Sequence, residues 1–478
     1  DGSQVVPGYF TTNCATRLTE KIRALNENDL ALQDRYITYS FYARDARSIH
    51  DEPDALAYLQ DPVKTSNDDL APVAHDDCIA VAAAIGKDLI REALRADDGS
   101  ISWIALEHLQ DAGVFQLQPV SYNLYSGAAG IACFLAALGR FTGRSAFTEA
   151  AWDAARPLFR MADEEHESII YLSGLGVGVG LGSLIYGFAF LADLFGPGER
   201  RDRCLETATR CAARIDDRAL RADHRHDVMF GSAGAILALH RLAAADATSA
   251  ATDRIDALAR HLLDSRIDTD SGHRIVPTLR SGAATGLSHG AAGIALALAR
   301  AGTLTSTPSF VEAALEHADF EEHLYDTEEG NYPDYRSVPG QPAFITAWCH
   351  GSPGIGLARL RLYELTGEAR LRDQAERAMA TTRRFTLDHL DHICCGNLGR
   401  IDIQLEHARA MQDEALERGV RQDAAYVLGR YHEKGGFRMF MNTPTQVFSP
   451  GLFVGAAGIG MTLLRLADDS LPCVMAFD

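Results

Sequence analysis

Cysteine and histidine side chains stand one or two residues before a glycine at three places in the chain. The segment TAWCHGSPGIG carries Cys349 and His350, HICCGNLGR carries Cys394 and Cys395, and GLSHGAAGI carries His289. Thiolates and imidazoles hold Zn²⁺ in tetrahedral geometry, and a catalytic zinc ion keeps three protein ligands and one open position. A fold that brings these segments together would create a candidate metal site.

The adjacent cysteines restrict where such a site can lie. Neighbouring side chains on a helix diverge by about 100°, so Cys394 and Cys395 could reach one ion only from the turn before a helix, where Gly396 relaxes the backbone. Cys349 would be the third ligand, and His392 is an alternative one. The other interpretation is that these cysteines are small buried apolar side chains, which is common for free cysteine.

Other titratable residues show weaker sequence signals of a functional role. Asp227, in RHDVMFGSAG, precedes a similar glycine turn, where its carboxylate could orient an imidazole or cap a helix. His389, His224 and His226 are typical of surface or polar packing positions. The cysteines without a comparable setting are expected only to pack, and they are Cys14, Cys78, Cys133, Cys204, Cys211 and Cys473.

A turn of small residues followed by an apolar helical run occurs seven times. Successive turns lie 45 to 61 residues apart, counted at Gly130, Gly180, Gly234, Gly293, Gly354, Gly399 and Gly458. One motif per unit of this length indicates repeated supersecondary units. The second repeat, GVGVGLGS, departs from the pattern of the others.

The helices of each repeat differ in character. The segment upstream of a turn is usually amphipathic, as in 146–162, whereas the helix after the turn is apolar nearly all round, which predicts burial on both sides. We therefore predict an all-α fold, an α/α toroid with about seven inner and seven outer helices and almost no strand. An open solenoid is the alternative. In a ring, the residues just before the turns would converge at one mouth.

The repeat also divides the chain. Residues 1–75 do not fit it and are predicted to form an N-terminal helical extension, with two helices over 18–44 and a helix and polar linker over 53–72. Residues 76–478 form the predicted toroid domain. Residues 169–192 carry no charge, but their six glycines favour a turn and a buried helix over a membrane span.

Composition excludes some classes of protein. A net charge of −20 over 478 residues argues against nucleic-acid binding. Nine scattered cysteines with no C-x-x-C pair suit a reducing compartment, and no signal peptide is visible, so we expect a cytoplasmic protein. The absence of an initiator methionine suggests a piece of a longer chain.

The repeat, together with SHGAAGI, AWCHGSPGIG and CCGNLG, resembles the lanthionine synthetase cyclase (LanC-like) family, whose members are α/α toroids. The Cys-Cys-Gly triplet, where class I stand-alone cyclases have Cys-His-Gly, and the ending GIGMTLLRLADDSLPCVMAFD are most similar to the C-terminal cyclase domain of class II, LanM-type synthetases. The similarity covers roughly 76–478. Residues 18–44 resemble the end of the preceding dehydratase domain.

The resemblance implies zinc-dependent closure of lanthionine and methyllanthionine rings. In this reaction a peptide cysteine thiol adds, Michael-fashion, to dehydroalanine or dehydrobutyrine of the same precursor peptide. The implied partners are the dehydrated precursor with its leader and an upstream dehydratase domain of the same polypeptide. The implied site residues are Cys349, Cys394 and Cys395 for one Zn²⁺, His289 as acid/base, Asp227 as its partner or a second proton-transfer group, and His350 as a further pocket residue.

One departure from the family pattern concerns the enolate that forms when the thiol adds to the alkene. Class I enzymes carry an arginine four residues before the first zinc cysteine, and this chain has Ile345 there, so the group that stabilises the enolate must come from elsewhere.

Other functions remain open at this point. A non-catalytic zinc toroid that binds glutathione or a partner peptide would share every ligand. Terpene cyclisation would need D-D-x-x-D or D-x-D-D, and neither occurs. Protein prenyltransferases hold zinc with Asp, Cys and His, which the Cys-Cys pair argues against. The chain has no G-x-x-x-x-G-K-[ST] motif, so we expect no use of ATP.

Overall fold

The structure is a computed structural model in which helices dominate. It describes residues 12–46, 67–109, 114–247, 251–279, 284–338, 341–445 and 447–478. The helices in these ranges are α1 (Cys14–Ala24), α2 (Glu27–Asp45), α3 (His75–Arg91), α4 (Ala128–Thr142), α5 (Ser145–Glu164), α6 (His166–Ser173), α7 (Leu181–Phe195), α8 (Glu199–Ala213), α9 (Asp217–Ala222), α10 (Ser232–Ala245), α11 (Ala251–Asp264), α12 (Ala291–Thr305), α13 (Pro308–His323), α14 (Ser352–Thr366), α15 (Ala369–Arg383), α16 (Asn397–Met411), α17 (Glu414–Lys434) and α18 (Ala456–Ala467).

Seven of these helices form a closed inner ring. They are α4, α7, α10, α12, α14, α16 and α18; each packs against the next, and α18 packs against α4. Their residues are buried on nearly every side, as expected for helices that are apolar all round. The predicted α/α toroid is therefore confirmed, and the open solenoid is wrong.

The outer helices bury only one face. Six of them, α5, α8, α11, α13, α15 and α17, each pack against the inner helix that precedes them in the chain. In α5 the buried positions Phe147, Ala151, Ala154 and Leu158 recur at the helical spacing of three and four residues. The last inner helix, α18, pairs with α3 from before the first repeat. The two ends of the repeat region thus complete the outer ring together.

The turns before the inner helices are joined by a closed belt of backbone hydrogen bonds. Every turn donates an N–H to the carbonyl oxygen of the next one around the ring. The seven bonds run from Tyr125 to Gly178 (3.1 Å), Val177 to Val228 (3.0 Å), Val228 to Ser288 (3.2 Å), Ser288 to Cys349 (3.2 Å), Trp348 to Cys394 (2.9 Å), Cys394 to Phe453 (2.9 Å) and Phe453 to Tyr125 (2.8 Å). This belt fixes residues from all seven repeats at one end of the ring.

Four short antiparallel hairpins lie among the described residues, which agrees with the expectation of almost no strand. They pair β1 (Leu94–Arg95) with β2 (Ile101–Ser102), β3 (Ile104–Leu109) with β4 (Val114–Pro119), β5 (Ile267–Asp268) with β6 (Arg274–Ile275), and β7 (Asp334–Val338) with β8 (Gln341–Ala343). All lie in connections that lead to an inner-helix turn. Strands of two to six residues are too short to give a clear alternating pattern, so the sequence does not indicate them individually.

The N-terminal extension and the glycine-rich segment follow the sequence prediction where they are described. Helices α1 and α2 cover the two predicted over 18–44, and α2 packs against β4. Most of the predicted helix over 53–72 lies outside the described residues. The uncharged segment 169–192 forms the end of α6, a turn and most of the buried α7. Among the described residues, no helix has the length and apolarity needed to cross a membrane.

The last residues of the chain fill the centre of the ring. The indole Nε1 of Trp348 donates to the carbonyl oxygen of Met475 (2.9 Å), and Arg300 Nη1 donates to that of Ala476 (2.9 Å). The Phe477 ring packs against Phe453, with ring centroids 6.0 Å apart. These contacts close the interior below the belt of turns.

Acid is expected to weaken the fold through His317 of α13. This fully buried ring accepts the Val276 N–H at Nε2 (2.9 Å), and its Nδ1 lies 2.7 Å from the Ala313 carbonyl oxygen. Burial lowers the pKa of His317 to about 4. The unfolded chain takes up this proton near pH 6.5 and the folded chain does not, so stability present above pH 6.5 is lost as the pH falls toward 4.

Denaturant unfolding at pH 7 and pH 4.5 measures this loss. Relative to His317→Gln, whose amide can make the same two bonds without titrating, the wild type should lose about 2 to 3 kcal/mol more of its free energy of unfolding. Equal losses in the two proteins would contradict the assignment.

Candidate active site at the mouth of the ring

Each inner helix begins after a glycine at the same structural position. These N-cap residues are Gly127, Gly180, Gly231, Gly290, Gly351, Gly396 and Gly455. Gly180 in the second repeat is thus a cap, and the residue equivalent to Gly130 is Ser183, which corrects the register taken from the sequence.

The residues one and two positions before the caps form the mouth. Cys349 and Cys394 lie two positions before their caps, whereas His289, His350 and Cys395 lie one position before theirs. The backbone of these turns is tightly constrained. Gly351 has a φ of +86°, and a Cβ at this position would collide with the Ile345 carbonyl oxygen. Glycine is required there because other residues rarely adopt that conformation.

The sulfur atoms of three cysteines converge as the sequence predicts. The Sγ of Cys395 lies 3.5 Å from that of Cys349 and 3.4 Å from that of Cys394. The three residues are buried, are not joined by disulfides, and could hold a metal ion between them. His392, the alternative ligand, contacts the backbone of the turn, because its Nδ1 accepts the backbone N–H of Cys395 (3.4 Å).

The chemistry of this donor set fits a soft or borderline divalent cation. Contact with the Cys349 sulfur, together with burial, raises the pKa of both Cys394 and Cys395 well above the ordinary value. Crowded buried thiols therefore resist ionisation on their own, whereas a bound cation stabilises thiolates. Three thiolates leave the fourth position of a tetrahedral zinc ion for another ligand.

His289 is oriented by the predicted acidic partner. Its Nδ1 lies 2.8 Å from Asp227 Oδ2, and Asp227 Oδ1 accepts the backbone N–H of Phe230 (2.6 Å). The His289 ring stacks between Phe230 and His350, with centroids 5.7 Å from each. Because Nδ1 is bonded to the carboxylate, Nε2 is the nitrogen left for proton transfer.

His350 lies behind the cavity rather than in its wall. Its side chain is fully buried, with Nδ1 3.1 Å from the Thr285 carbonyl oxygen and Nε2 3.3 Å from Ser288 Oγ. Burial, followed by the charge of Arg336, lowers the pKa of His350 to about 3. The ring is therefore neutral at physiological pH and supports the face of His289.

A cavity of about 670 Å³ opens above these residues. The turns supply much of its wall, and the hairpin β3–β4 contributes Leu106, Glu107, His108 and Phe115. Burial raises the pKa of Glu107 to about 7. The volume is within the usual range for small-ligand sites, and aromatic side chains are among the lining residues.

Sequence reasoning missed two residues of this site. The Tyr125 hydroxyl donates to Cys394 Sγ (3.0 Å), and Arg336 lines the cavity close enough to influence Cys349 and Cys395 electrostatically. Tyr125 could have been found from the repeat, because it stands two positions before its cap glycine. Arg336 carried no such signal, since it lies on the hairpin β7–β8.

Of the two arginines that line the cavity, Arg225 precedes the third turn and Arg336 lies on the hairpin β7–β8. Asp334 holds the Arg336 guanidinium through two bonds, Nε to Oδ1 at 3.0 Å and Nη2 to Oδ2 at 2.8 Å. Ile345, which takes the place of the class I arginine, is fully buried.

The toroid is similar in fold to a solved cyclase structure, and weaker similarities extend to other solved structures. The solved structure of nisin cyclase is 18% identical, with a TM-score of 0.50 over 73% of this chain and 89% of that chain. The Lin0763 protein from Listeria innocua is 14% identical, with a TM-score of 0.43 over 65% of this chain and 96% of that chain. A family 76 glycoside hydrolase from a bovine Bacteroides thetaiotaomicron strain is 9% identical, with a TM-score of 0.44 over 84% and 78%.

The family assignment comes from the sequence match. A comparison with curated proteins gives no significant match. The family described as lanthionine synthetase C-like protein matches residues 118–476, far more than half of the chain, including all seven turns and the three cysteines. The chain therefore belongs to the lanthionine synthetase C-like family.

Proposed function

We propose that this protein is a zinc-dependent peptide cyclase that closes lanthionine and methyllanthionine rings. The observation that carries the proposal is the convergence of three cysteine sulfurs beside a His–Asp pair in one cavity. The substrate is a dehydrated precursor peptide with its leader. Its cysteine thiol adds to the β-carbon of dehydroalanine or dehydrobutyrine.

Cys349, Cys394 and Cys395 would hold the zinc ion. When bound, it would keep the substrate thiol ionised at neutral pH, whereas a free thiol with a pKa of about 8.5 is only a few per cent thiolate. Tyr125 supports this arrangement by donating its hydroxyl to Cys394. As thiolates, these three cysteines would also donate charge to the ion and so help the substrate sulfur to remain nucleophilic.

His289 donates the proton that the enolate takes up at its α-carbon. Attack by sulfur forms the C–S bond at the β-carbon and moves the alkene electron pair onto the neighbouring carbonyl as an enolate. The enolate is protonated at the α-carbon, and imidazole suits this step because it titrates near neutral pH. Asp227 stabilises the protonated ring, and His350 fixes its plane from behind, as a positioning residue.

Arg336 stabilises the enolate oxygen. It provides a fixed positive charge in the cavity, and Asp334 holds its guanidinium in place. Preorganised donors of this kind commonly contribute about 10²-fold or more to the rate. We therefore expect Arg336→Gln to slow ring closure by about 10²-fold while the thiolate metal site remains filled.

The matched control for this variant is Arg274→Gln. Arg274 is an exposed arginine on another hairpin, β5–β6, and its replacement should leave the rate unchanged. An unaltered rate in Arg336→Gln, measured under single-turnover conditions, would assign the enolate to another group.

The wider assignment follows from the Cys-Cys-Gly triplet. We assign residues 76–478 to a cyclase domain of a bifunctional class II, LanM-type synthetase, and residues 1–75 to a helical extension from its dehydratase domain. Such an enzyme works in the cytoplasm.

The decisive experiment supplies a dehydrated precursor peptide to the zinc-loaded protein. Addition of a thiol to an alkene leaves the peptide mass unchanged, so ring closure is followed by alkylating the remaining thiols and counting the adducts by mass spectrometry. A cyclase consumes thiols with turnover. Stoichiometric peptide or glutathione binding without loss of thiols would favour the non-catalytic zinc toroid and contradict the proposal.

A further inference from the structure

A second group of metal-ligating side chains lies outside the thiolate site. Asp223 and His226 precede the third turn, and His261 extends from the outer helix α11. One ligand atom from each residue lies within 4.8 Å of the others. The two imidazole rings are tilted against each other with centroids 5.4 Å apart. None of these residues takes part in the proposed cyclisation.

His226 is held as metal-binding histidines are. Its Nδ1 lies 3.2 Å from the Pro277 carbonyl oxygen, so this nitrogen carries the hydrogen and Nε2 keeps its lone pair, the arrangement that fixes the tautomer of histidine ligands. The residue is buried and has a φ of +60°. This left-handed conformation is uncommon outside glycine and costs free energy, and such conformations concentrate at functional sites.

His261 supplies a nitrogen without a protein partner. Its Nε2 is buried and makes no hydrogen bond among the described residues. A buried polar atom without a partner destabilises the folded state. Burial lowers the pKa of His261. A metal ion would satisfy this atom.

Asp223 adds the negative charge. Its carboxylate is buried and accepts the backbone N–H groups of Arg225 (3.1 Å), His226 (3.2 Å) and Ser232 (2.7 Å), as well as the Ser232 hydroxyl. The backbone bonds lock the turn in place. For a metal ion to bind the same carboxylate, the Ser232 hydroxyl would turn its hydrogen away from Asp223 by rotation about the Cβ–Oγ bond.

We propose that Asp223, His226 and His261 form a second metal site, which binds a divalent transition ion of the Zn²⁺ class. Two imidazoles and one carboxylate are a donor set that such ions favour, with the fourth position open to water. The ion would also brace the turn that carries Asp227, because Asp227 follows His226 directly. The site shares no ligand with the three cysteines.

Cobalt titration of metal-free protein distinguishes the two sites. Thiolate ligands give Co²⁺ strong sulfur-to-metal charge-transfer absorption in the near ultraviolet, whereas nitrogen and oxygen ligands give only weak visible bands. We expect wild-type protein to retain two Co²⁺ per chain after gel filtration. One should show charge transfer and the other should not.

Variants assign each ion to its residues. His261→Gln and His226→Asn should each retain one ion with undiminished charge transfer; asparagine is chosen because it tolerates the left-handed conformation. The control is His224→Asn, an exposed histidine two residues away, which should retain two ions. Cys395→Ala should retain one ion without charge transfer, so failure of the thiolate site is seen separately.

A wild-type protein that retains a single thiolate-bound ion would overturn the proposal, as would two ions in His261→Gln. Circular dichroism shows whether each histidine variant folds. If either does not, the absorption spectrum of the second equivalent of Co²⁺ bound by the wild type tests the histidine site instead. Weak visible bands alone support the site, and added charge transfer refutes it.

Discussion

Cys395→Ala is expected to abolish ring closure, with a loss of at least about 10³-fold in rate. The Cys395 sulfur lies within 3.5 Å of both other sulfurs, so its removal leaves two thiols that cannot enclose an ion alone. Without the ion, the fraction of the substrate thiol that is ionised at neutral pH falls about 30-fold. The variant also loses the positioning of that thiol beside the alkene.

The effect is measured in two ways, by thiol counting on dehydrated peptide and by the sulfur-to-cobalt absorption of the metal-loaded protein. Total metal content is a poorer measure, because the proposed histidine site would keep its ion. Cys204→Ala is the matched control, since Cys204 is equally buried but lies on the outer helix α8. Ring formation at the normal rate in Cys395→Ala would refute the proposed metal role of the three cysteines.

His289→Ala is expected to slow cyclisation by about 10² to 10⁴-fold, the usual contribution of a positioned acid or base. The thiolate metal site should remain intact, because His289 belongs to a different turn and bonds to Asp227 rather than to a cysteine. Single-turnover thiol counting measures the rate, and the cobalt charge-transfer band reports the metal site.

Asp227→Asn serves as a graded companion to this variant. It keeps an oxygen for the Phe230 N–H but removes the charge that stabilises a protonated His289, so we expect a smaller loss, about 10 to 10²-fold. Loss of charge transfer in His289→Ala would mean that His289 is a metal ligand. An unchanged rate would exclude it as the proton donor.

The sequence was sufficient to predict the ring and the meeting of the three cysteines. Each inner helix is marked by a glycine followed by a continuous apolar run. Both signals are local, so they can be recognised without any knowledge of distant contacts. Once the repeat is recognised, equivalent positions must lie side by side. Cys349, Cys394 and Cys395 could therefore be brought together although up to 46 residues separate them.

Register was the weaker part of that prediction. The second repeat is unusually rich in glycine, and its sequence pattern places Gly180 at the position of Gly130, whereas the structure shows that Gly180 caps α7. Backbone geometry distinguishes a cap from an interior glycine, whereas residue identity does not. Tyr125 stands at the position equivalent to Cys349 and Cys394, so the repeat places it at the mouth, whereas its residue type does not indicate a bond to Cys394.

By itself, then, the sequence determined the α/α toroid and which turns share its mouth, because periodic burial and glycine caps depend on the residue types within each repeat. Only the tertiary structure decided that α3 completes the ring against α18, that Arg336 reaches the cavity from a hairpin, and that His350 lies behind His289. It also brought His261 to His226. Each of these depends on contacts between non-equivalent positions of different elements, and such contacts leave no periodic trace in the order of amino acids.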